Sequence, residues 1–255
     1  MALVPEPKRV GKISSSEGED YRAFRGVLKY IVKQRSFYGI FLIAACLNYL
    51  ITYGMAIWMP TYFIRVHGWE ASSIGMTIGL VILFPVVVGS IVAGKVTDYF
   101  YEKGYRDVSL RFMAFAAPVL LAFLCVFVFA PSINVKITAI GLLYLVGAMY
   151  SALSPTVIQM ATPPQIRSQV SAILLFVLNL VGLGLGPVSI ALVTDYVFQD
   201  DMALGYSMVL IGVVAHILSA LAYYASLRPF RQQIAAVLDD QTTENRSKFM
   251  KQKAG

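Results

Sequence analysis

Residues 109–130 read SLRFMAFAAPVLLAFLCVFVFA, an apolar run in which the one charged residue is Arg111. A helix rises 1.5 Å per residue and needs about 20 apolar residues to cross roughly 30 Å of hydrocarbon. The run has no strict alternation of polar and apolar residues, and it is too long for a barrel strand. It therefore predicts a transmembrane helix, which satisfies its own backbone hydrogen bonds in lipid.

Five further runs of this kind flank the first one. Hydrophobic residues make up 58% of the 255-residue chain and charged residues 14%, against about 25% charged in a soluble domain. We predict an all-α membrane protein, a bundle of six transmembrane helices at 37–227 between tails at 1–36 and 228–255. The predicted spans are 37–63, 72–97, 109–130, 137–160, 168–198 and 204–227.

The basic residues predict the orientation of the bundle. Nineteen of the 21 Lys and Arg residues lie in the tails and in the loops after the second and fourth spans, and the other two are Arg65 and Lys136. Such a bias places the basic loops in the cytoplasm. We expect a multi-pass plasma-membrane protein, in a bacterial inner membrane, with both termini cytoplasmic. The net charge of +7 then reflects orientation in the membrane, and a nucleic-acid partner is not expected.

Both tails contain apolar residues at helical spacing. Phe24, Val27, Leu28, Ile31 and Val32 recur at i, i+3, i+4, i+7 and i+8 among basic residues, which predicts an amphipathic helix. Two placements remain open, one on the inner leaflet and one against the cytoplasmic ends of the spans. A shorter amphipathic segment is predicted after the last span, followed by an irregular polar end. Its apolar positions are Phe230, Ile234, Val237 and Leu238.

The end of the second span carries a recognisable pattern. Gly89-Ser-Ile-Val-Ala-Gly94-Lys-Val-Thr-Asp98 is followed by Lys103, Gly104, Arg106 and Arg111. This resembles the G-x-x-x-D signature, followed by basic residues, of the major facilitator superfamily. In that family the signature joins the second and third helices of each six-helix half on the cytoplasmic side.

Two other stretches resemble the spinster-like members of that superfamily. One runs from Pro163 through Arg167 and Asn179 to Asp195, and the other is Trp58-Met-Pro60-Thr-Tyr-Phe-Ile-Arg65. The resemblance implies the C-terminal half of a twelve-helix transporter, built as two inverted three-helix repeats. It implies a secondary transporter working by alternating access, which needs a second six-helix bundle. That bundle would be a missing N-terminal half or a second copy of this chain.

The signature loop suggests a gating role. Gly94 is expected to allow close helix approach. Asp98 is expected to cap the positive N-terminus of a neighbouring helix, with the fifth span near Ser168 and Gln169 as the predicted partner. Arg106 or Arg111 would then neutralise the carboxylate. Residues predicted to serve in helix packing and as hinges are Pro85, Gly182, Gly184, Gly186 and Pro187, and we expect the long fifth span to tilt or bend near Gly182–Gly186.

Neutral polar residues at mid-depth are the candidates for a substrate cavity. In the family they correspond to helices that line the central cavity, where amides and tyrosines suit a small organic or amphipathic solute. The alternative is that each of them hydrogen-bonds a neighbouring helix. The candidates are Asn48, Tyr49, Thr52, Tyr53, Tyr144, Tyr150, Ser151 and Asn179.

The remaining polar chemistry is sparse. His216 lies mid-way along the sixth span, on an outer helix by the family resemblance, and a structural role is favoured over a proton relay. We find no catalytic grouping, metal spacing or phosphate loop, and we expect neither enzyme activity nor a cofactor. The competing interpretation of the whole chain is a truncated or non-transporting membrane scaffold.

Overall fold

A computed structural model describes residues 24–253 of the chain, with side chains described as far as Leu238. Residues 1–23, most of the predicted N-terminal tail, lie outside the described part. A π-helical turn, Val193–Phe198, extends α6, and a 3₁₀ turn, Asp201–Ala203, precedes α7. The α-helices are α1 Phe24–Lys33, α2 Arg35–His67, α3 Ala71–Glu102, α4 Val108–Phe129, α5 Ile133–Ala161, α6 Arg167–Leu192 and α7 Leu204–Lys253.

The six predicted spans are confirmed as α2 to α7, each long and apolar enough to cross a bilayer. The α-helical pattern of α6 continues through Gly182–Gly186, where a bend was expected. The departure from α geometry comes later, in the π turn. There the Thr194 hydroxyl lies 2.8 Å from the Ser207 hydroxyl, which ties the turn to α7.

The spans pack in the spatial order α3–α5–α4–α7–α2–α6. If α2 is exchanged with α5, α3 with α6 and α4 with α7, the same order results, read from the other end. Because each set has three helices, corresponding helices cross the membrane in opposite directions. The arrangement is that of two inverted three-helix repeats, as expected.

These six spans form an arc with α3 at one end and α6 at the other, and at each end a glycine allows two helices to pack closely. A Cβ on Gly89 of α3 would lie 2.3 Å from the carbonyl oxygen of Leu145 in α5. A Cβ on Gly186 of α6 would lie 2.3 Å from the carbonyl oxygen of Leu50 in α2. Since Cβ atoms do not come that close to backbone, glycine alone permits these helix contacts.

Helix α1 packs along one edge against the end of the bundle. Val27 is fully buried in the same cluster as Phe230 and Ile234, and Gln233 donates a hydrogen bond to the Tyr30 hydroxyl at 2.8 Å. Phe24 and Val32, on the other edge, remain about two-thirds exposed. The amphipathic helix is confirmed, and packing against the bundle occupies only part of its apolar face.

The last helix differs from the expectation of a separate short segment after the sixth span. α7 continues without a break through Pro229 to Lys253. Phe230, Ile234 and Val237 are buried. Their helical spacing places them on one face of α7, and Phe230 and Ile234 belong to the same buried cluster as Val27 of α1. The prediction of an irregular polar end is therefore wrong.

Candidate substrate cavity

A cavity of about 430 Å³ lies between α2 and α5, which supply ten of its 14 lining residues. α3 closes one side, while α4 and α7 stand behind the gap and contribute Leu120 and His216 to its floor. A volume of several hundred Å³ is ordinary for a small-molecule site. The lining residues are Ile51, Thr52, Met55, Met59, Val86, Ser90, Leu120, Leu143, Tyr144, Gly147, Ala148, Ser151, Ala152 and His216.

Three of the eight candidate residues line this cavity, namely Thr52, Tyr144 and Ser151. The Thr52 hydroxyl donates to the Asn48 carbonyl of its own helix at 2.8 Å, so its oxygen remains available as an acceptor. Tyr144 has no hydrogen bond from its hydroxyl to any described residue, which leaves that group available to a solute.

Three other candidates lie between α2 and α6, outside the cavity. The Tyr53 hydroxyl donates to Oδ1 of Asn179 at 2.7 Å, and the Asn179 amide donates to the Leu175 carbonyl at 2.8 Å. The Tyr49 ring lies 5.9 Å from the Tyr53 ring. Tyr53 and Asn179 match the alternative interpretation, in which polar side chains bond neighbouring helices. Tyr49 forms no hydrogen bond from its hydroxyl to any described residue.

The last two candidates are buried in the protein core. Tyr150 is 1% exposed, and its hydroxyl is hydrogen-bonded to that of Tyr223. Asn48 is 2% exposed, and its side-chain nitrogen has no partner among the described residues. Their placement in the cavity is wrong for this structure, because each helix turns these positions inward towards α7 or the bundle centre.

His216 was expected away from the cavity, and the structure places its ring in the cavity floor. α7 lies behind α2 and α5, but the gap between these two helices exposes His216 to the cavity. Nδ1 lies 2.9 Å from the Gly212 carbonyl oxygen. A carbonyl only accepts, so Nδ1 carries a proton and donates this hydrogen bond. Sequence patterning could have found this residue only with knowledge of helix order.

The signature loop differs from the expected geometry. Asp98 is exposed and forms no ion pair or hydrogen bond with any described residue. Helix α6 begins after Ile166 without a side-chain cap, and a Cβ on Gly94 would meet open space. Neither the Asp98 cap on the fifth span nor close packing at Gly94 is present within this bundle, because α3 and α6 lie at opposite ends of the arc.

Asp107 is the carboxylate that binds arginine in this loop. Its Oδ2 accepts hydrogen bonds from Nε of Arg231 at 2.6 Å and Nε of Arg111 at 3.0 Å. Burial by itself raises the pKa of Asp107, but the bonds from Arg231 and Arg111 outweigh it and hold the pKa below the ordinary carboxyl value. Since the folded pKa is lowered, this bridge stabilises the fold above the ordinary carboxyl pKa and is lost as pH falls through the lowered one.

The family model of the Major Facilitator Superfamily matches residues 1–187, nearly three quarters of the chain. The chain belongs to the major facilitator superfamily.

Individual relatives within this superfamily are distant. An MFS-type efflux pump from Mycolicibacterium smegmatis is 24% identical over 184 residues, which is 71% of this chain and 42% of the pump. Two crystal structures of a bacterial homolog to the human lysosomal transporter Spinster share the fold at 16% identity. The inward-facing occupied form has a TM-score of 0.51 and the unoccupied form 0.54, covering 85% and 94% of this chain.

This major facilitator chain spans about half the length of the relatives that it matches, since it covers 50% and 52% of the two solved chains. The recognised family and the six spans identify a multi-pass membrane protein of a transporter family. The resemblance to spinster-like members agrees with these structural neighbours.

Of the glycines predicted to serve in packing or as hinges, two contact a neighbouring helix and one does not. Gly182 contacts Tyr53 of α2 and Gly186 contacts Leu50, whereas a Cβ on Gly184 would meet nothing within 4 Å. A packing role for Gly184 within this bundle is therefore wrong. The two prolines are also in different settings. Pro85 faces Gly141 of α5, and the Pro187 carbonyl accepts a hydrogen bond from Trp58 Nε1 at 2.9 Å.

Proposed function

We propose that this chain forms the C-terminal half of a secondary transporter that moves a small organic or amphipathic solute by alternating access. The observation that carries the proposal is the cavity of about 430 Å³ between α2 and α5. In an inverted-repeat transporter the substrate site lies at mid-membrane, at the interface of the repeats. The pump from M. smegmatis and the Spinster homolog support the same class.

The chemistry of the lining favours an amphipathic solute. Met55, Met59 and Leu143 supply apolar surface, while the side chains of Thr52, Tyr144 and His216 supply hydrogen-bonding groups. The lining residues include no Asp, Glu, Lys or Arg. A solute that carries a full charge would therefore find its counter-ion outside this half of the site, since a bare charge is costly at this depth.

A second six-helix bundle is the proposed partner, either an N-terminal half or another copy of this chain. The helices at the two ends of the arc, α3 and α6, each expose large apolar side chains. Phe84 of α3 is 75% exposed and Phe176 of α6 is 67% exposed. In the proposal these faces flank the cavity and complete it when the second bundle docks. In the proposal both termini lie in the cytoplasm of a bacterial cell, and the bias of the basic residues towards the tails and the second and fourth loops supports that orientation.

Filling the cavity is expected to stop transport. Ala152 is exposed on α5 and lines the cavity, and Ala122 is exposed on the outer helix α4. Ala152→Phe should reduce solute flux at least tenfold because the ring occupies the solute volume, whereas Ala122→Phe should leave it unchanged. The assay is flux of ethidium and of carboxyfluorescein across membrane vesicles from cells expressing the chain. Wild-type flux in Ala152→Phe would contradict the proposal. If the chain alone gives no flux, the assay is repeated with a spinster-like N-terminal half co-expressed, and no flux of either dye then would favour the scaffold interpretation.

Asp98→Asn is expected to impair transport without changing expression. In the proposal the exposed Asp98 carboxylate caps a helix N-terminus of the second bundle, an interaction of about 1 kcal/mol that the neutral amide weakens. Glu102→Gln, one turn further along α3, is the matched control and should have little effect. The same vesicle assay measures both variants, and a similar loss in the two would remove the role assigned to Asp98.

A further inference from the structure

Two cavities meet at Arg111, at the end of the bundle that carries the α3–α4 loop. The larger one, about 570 Å³, lies between that loop and the part of α7 beyond Pro229. The smaller one, about 200 Å³, lies between α3, α4 and α5. Arg111 lines both, so the two cavities lie next to each other on either side of this side chain.

The larger cavity has an excess of positive charge. Arg106, Arg111 and Arg231 line it together with one acid, Asp107. Arg111 and Arg231 both bind the same Asp107 oxygen through Nε, and their terminal nitrogens form no hydrogen bond with any described residue. Arg106 is exposed and pairs with none of the described carboxylates. Three guanidinium groups that line one cavity suit an anion with several oxygens, as in a phosphate.

The smaller cavity presents hydrocarbon. Phe100, Phe112, Met149 and Leu153 line it. Its one hydroxyl, on Thr97, donates to the Ala93 carbonyl at 2.7 Å and so offers no free donor. A slot of this kind, open between helices that face lipid, accommodates an alkyl chain.

We propose that the paired cavities bind an anionic phospholipid, with its phosphate on Arg106, Arg111 and Arg231 and one acyl chain in the slot. Charge complementarity and the apolar slot together select a lipid over a soluble anion. Basic pockets at the cytoplasmic ends of transmembrane helices bind such headgroups. Asp107 acts as a positioning residue that holds two guanidinium groups in place. The proposal rests on the membrane spans and their orientation, not on transport.

Native mass spectrometry of the purified full chain tests this site. The protein is mixed with equal amounts of dioleoylphosphatidylglycerol and dioleoylphosphatidylcholine. Arg106→Gln should lower bound phosphatidylglycerol roughly fivefold, the value of one arginine at a lipid surface, with phosphatidylcholine unchanged. Arg25→Gln, an exposed basic residue of α1 outside both cavities, is the control. An equal loss in Arg25→Gln and Arg106→Gln would overturn the site.

Two further measurements separate the lipid from a soluble phosphate. Ala93→Leu narrows the slot and should reduce bound phosphatidylglycerol. Glycerol 3-phosphate, which has the headgroup chemistry without an acyl chain, should fail to displace the lipid at equal concentration. Displacement by glycerol 3-phosphate, or unchanged binding in Ala93→Leu, would overturn the lipid assignment. If Ala93→Leu is unstable, the glycerol 3-phosphate displacement still distinguishes a lipid from a soluble phosphate. Arg106→Gln removes no hydrogen bond or ion pair with a described residue and should therefore fold.

Discussion

Lys136→Met is expected to lower the free energy of unfolding by about 3 kcal/mol, because it removes a buried ammonium group that donates several hydrogen bonds. Lys136 is 5% exposed, although it lies in the first turn of α5. Its ammonium group donates to the Tyr62 hydroxyl at 3.0 Å and to the carbonyls of Phe127 and Val128 at 3.0 and 2.6 Å. Those carbonyls end α4, where the helix has no internal donors left and the dipole is negative. Methionine fills a similar volume but leaves them without a partner.

Arg65→Met is the matched control, since Arg65 is the other basic residue on the same side of the membrane. Its ion pair with Asp201 is 3.2 Å long, and the two side chains are 33% and 71% exposed. Exposed pairs of this kind contribute at most about 1 kcal/mol. Thermal unfolding of the detergent-solubilised variants, followed by tryptophan fluorescence, gives both values. Equal shifts for Lys136→Met and Arg65→Met would show that the Lys136 hydrogen bonds add nothing.

Gly186→Leu is expected to destabilise the bundle by about 3 kcal/mol or to prevent its folding, because the added side chain meets backbone rather than a flexible group. A Cβ at Gly186 would lie 2.3 Å from the Leu50 oxygen and 3.0 Å from the Gly54 nitrogen. Both atoms belong to α2, so relief requires α6 to move away along its whole contact with α2. The loss therefore includes the Tyr53–Asn179 hydrogen bond between these helices.

Gly184→Leu tests the same substitution half a turn away. A Cβ at this position would meet nothing within 4 Å, and the neighbouring Leu183 and Leu185 are already half exposed on the apolar surface. The leucine should be tolerated with an unchanged melting temperature. Size-exclusion chromatography and thermal unfolding in detergent compare the two variants. A loss in Gly184→Leu as large as in Gly186→Leu would mean that α6 is rotated relative to the packing described.

The cavity shows where prediction from sequence stops. Neighbouring residues on an α-helix point about 100° apart, so the choice between cavity and core changes from one residue to the next. Ser151 lines the cavity while Tyr150, beside it, is buried against Tyr223. Thr52 and Tyr53 divide in the same way, Thr52 to the cavity and Tyr53 to α6. Depth in the membrane was predictable from position along each run, but the rotation of each helix was not.

The loop signature shows the same limit at longer range. The pattern around Asp98 was sufficient to suggest the family, which the family comparison confirms. The partner predicted for Asp98 was wrong, since the carboxylate bound by arginine in this loop is Asp107, whose partner Arg231 lies 124 positions further along the chain. No local spacing rule connects two residues at that separation.

The sequence by itself determined the number and positions of the membrane spans, and it predicted the orientation. Both follow from the cost of placing polar or charged groups in hydrocarbon, which acts on each segment separately. The tertiary structure decided which residues meet. Gly186 and Gly184 look alike in the sequence, but only Gly186 lies against the backbone of α2. Lys136 and Arg65 also look alike, but only Lys136 is buried against the end of α4. Packing depends on contacts between distant segments, whereas insertion depends on the composition of each segment.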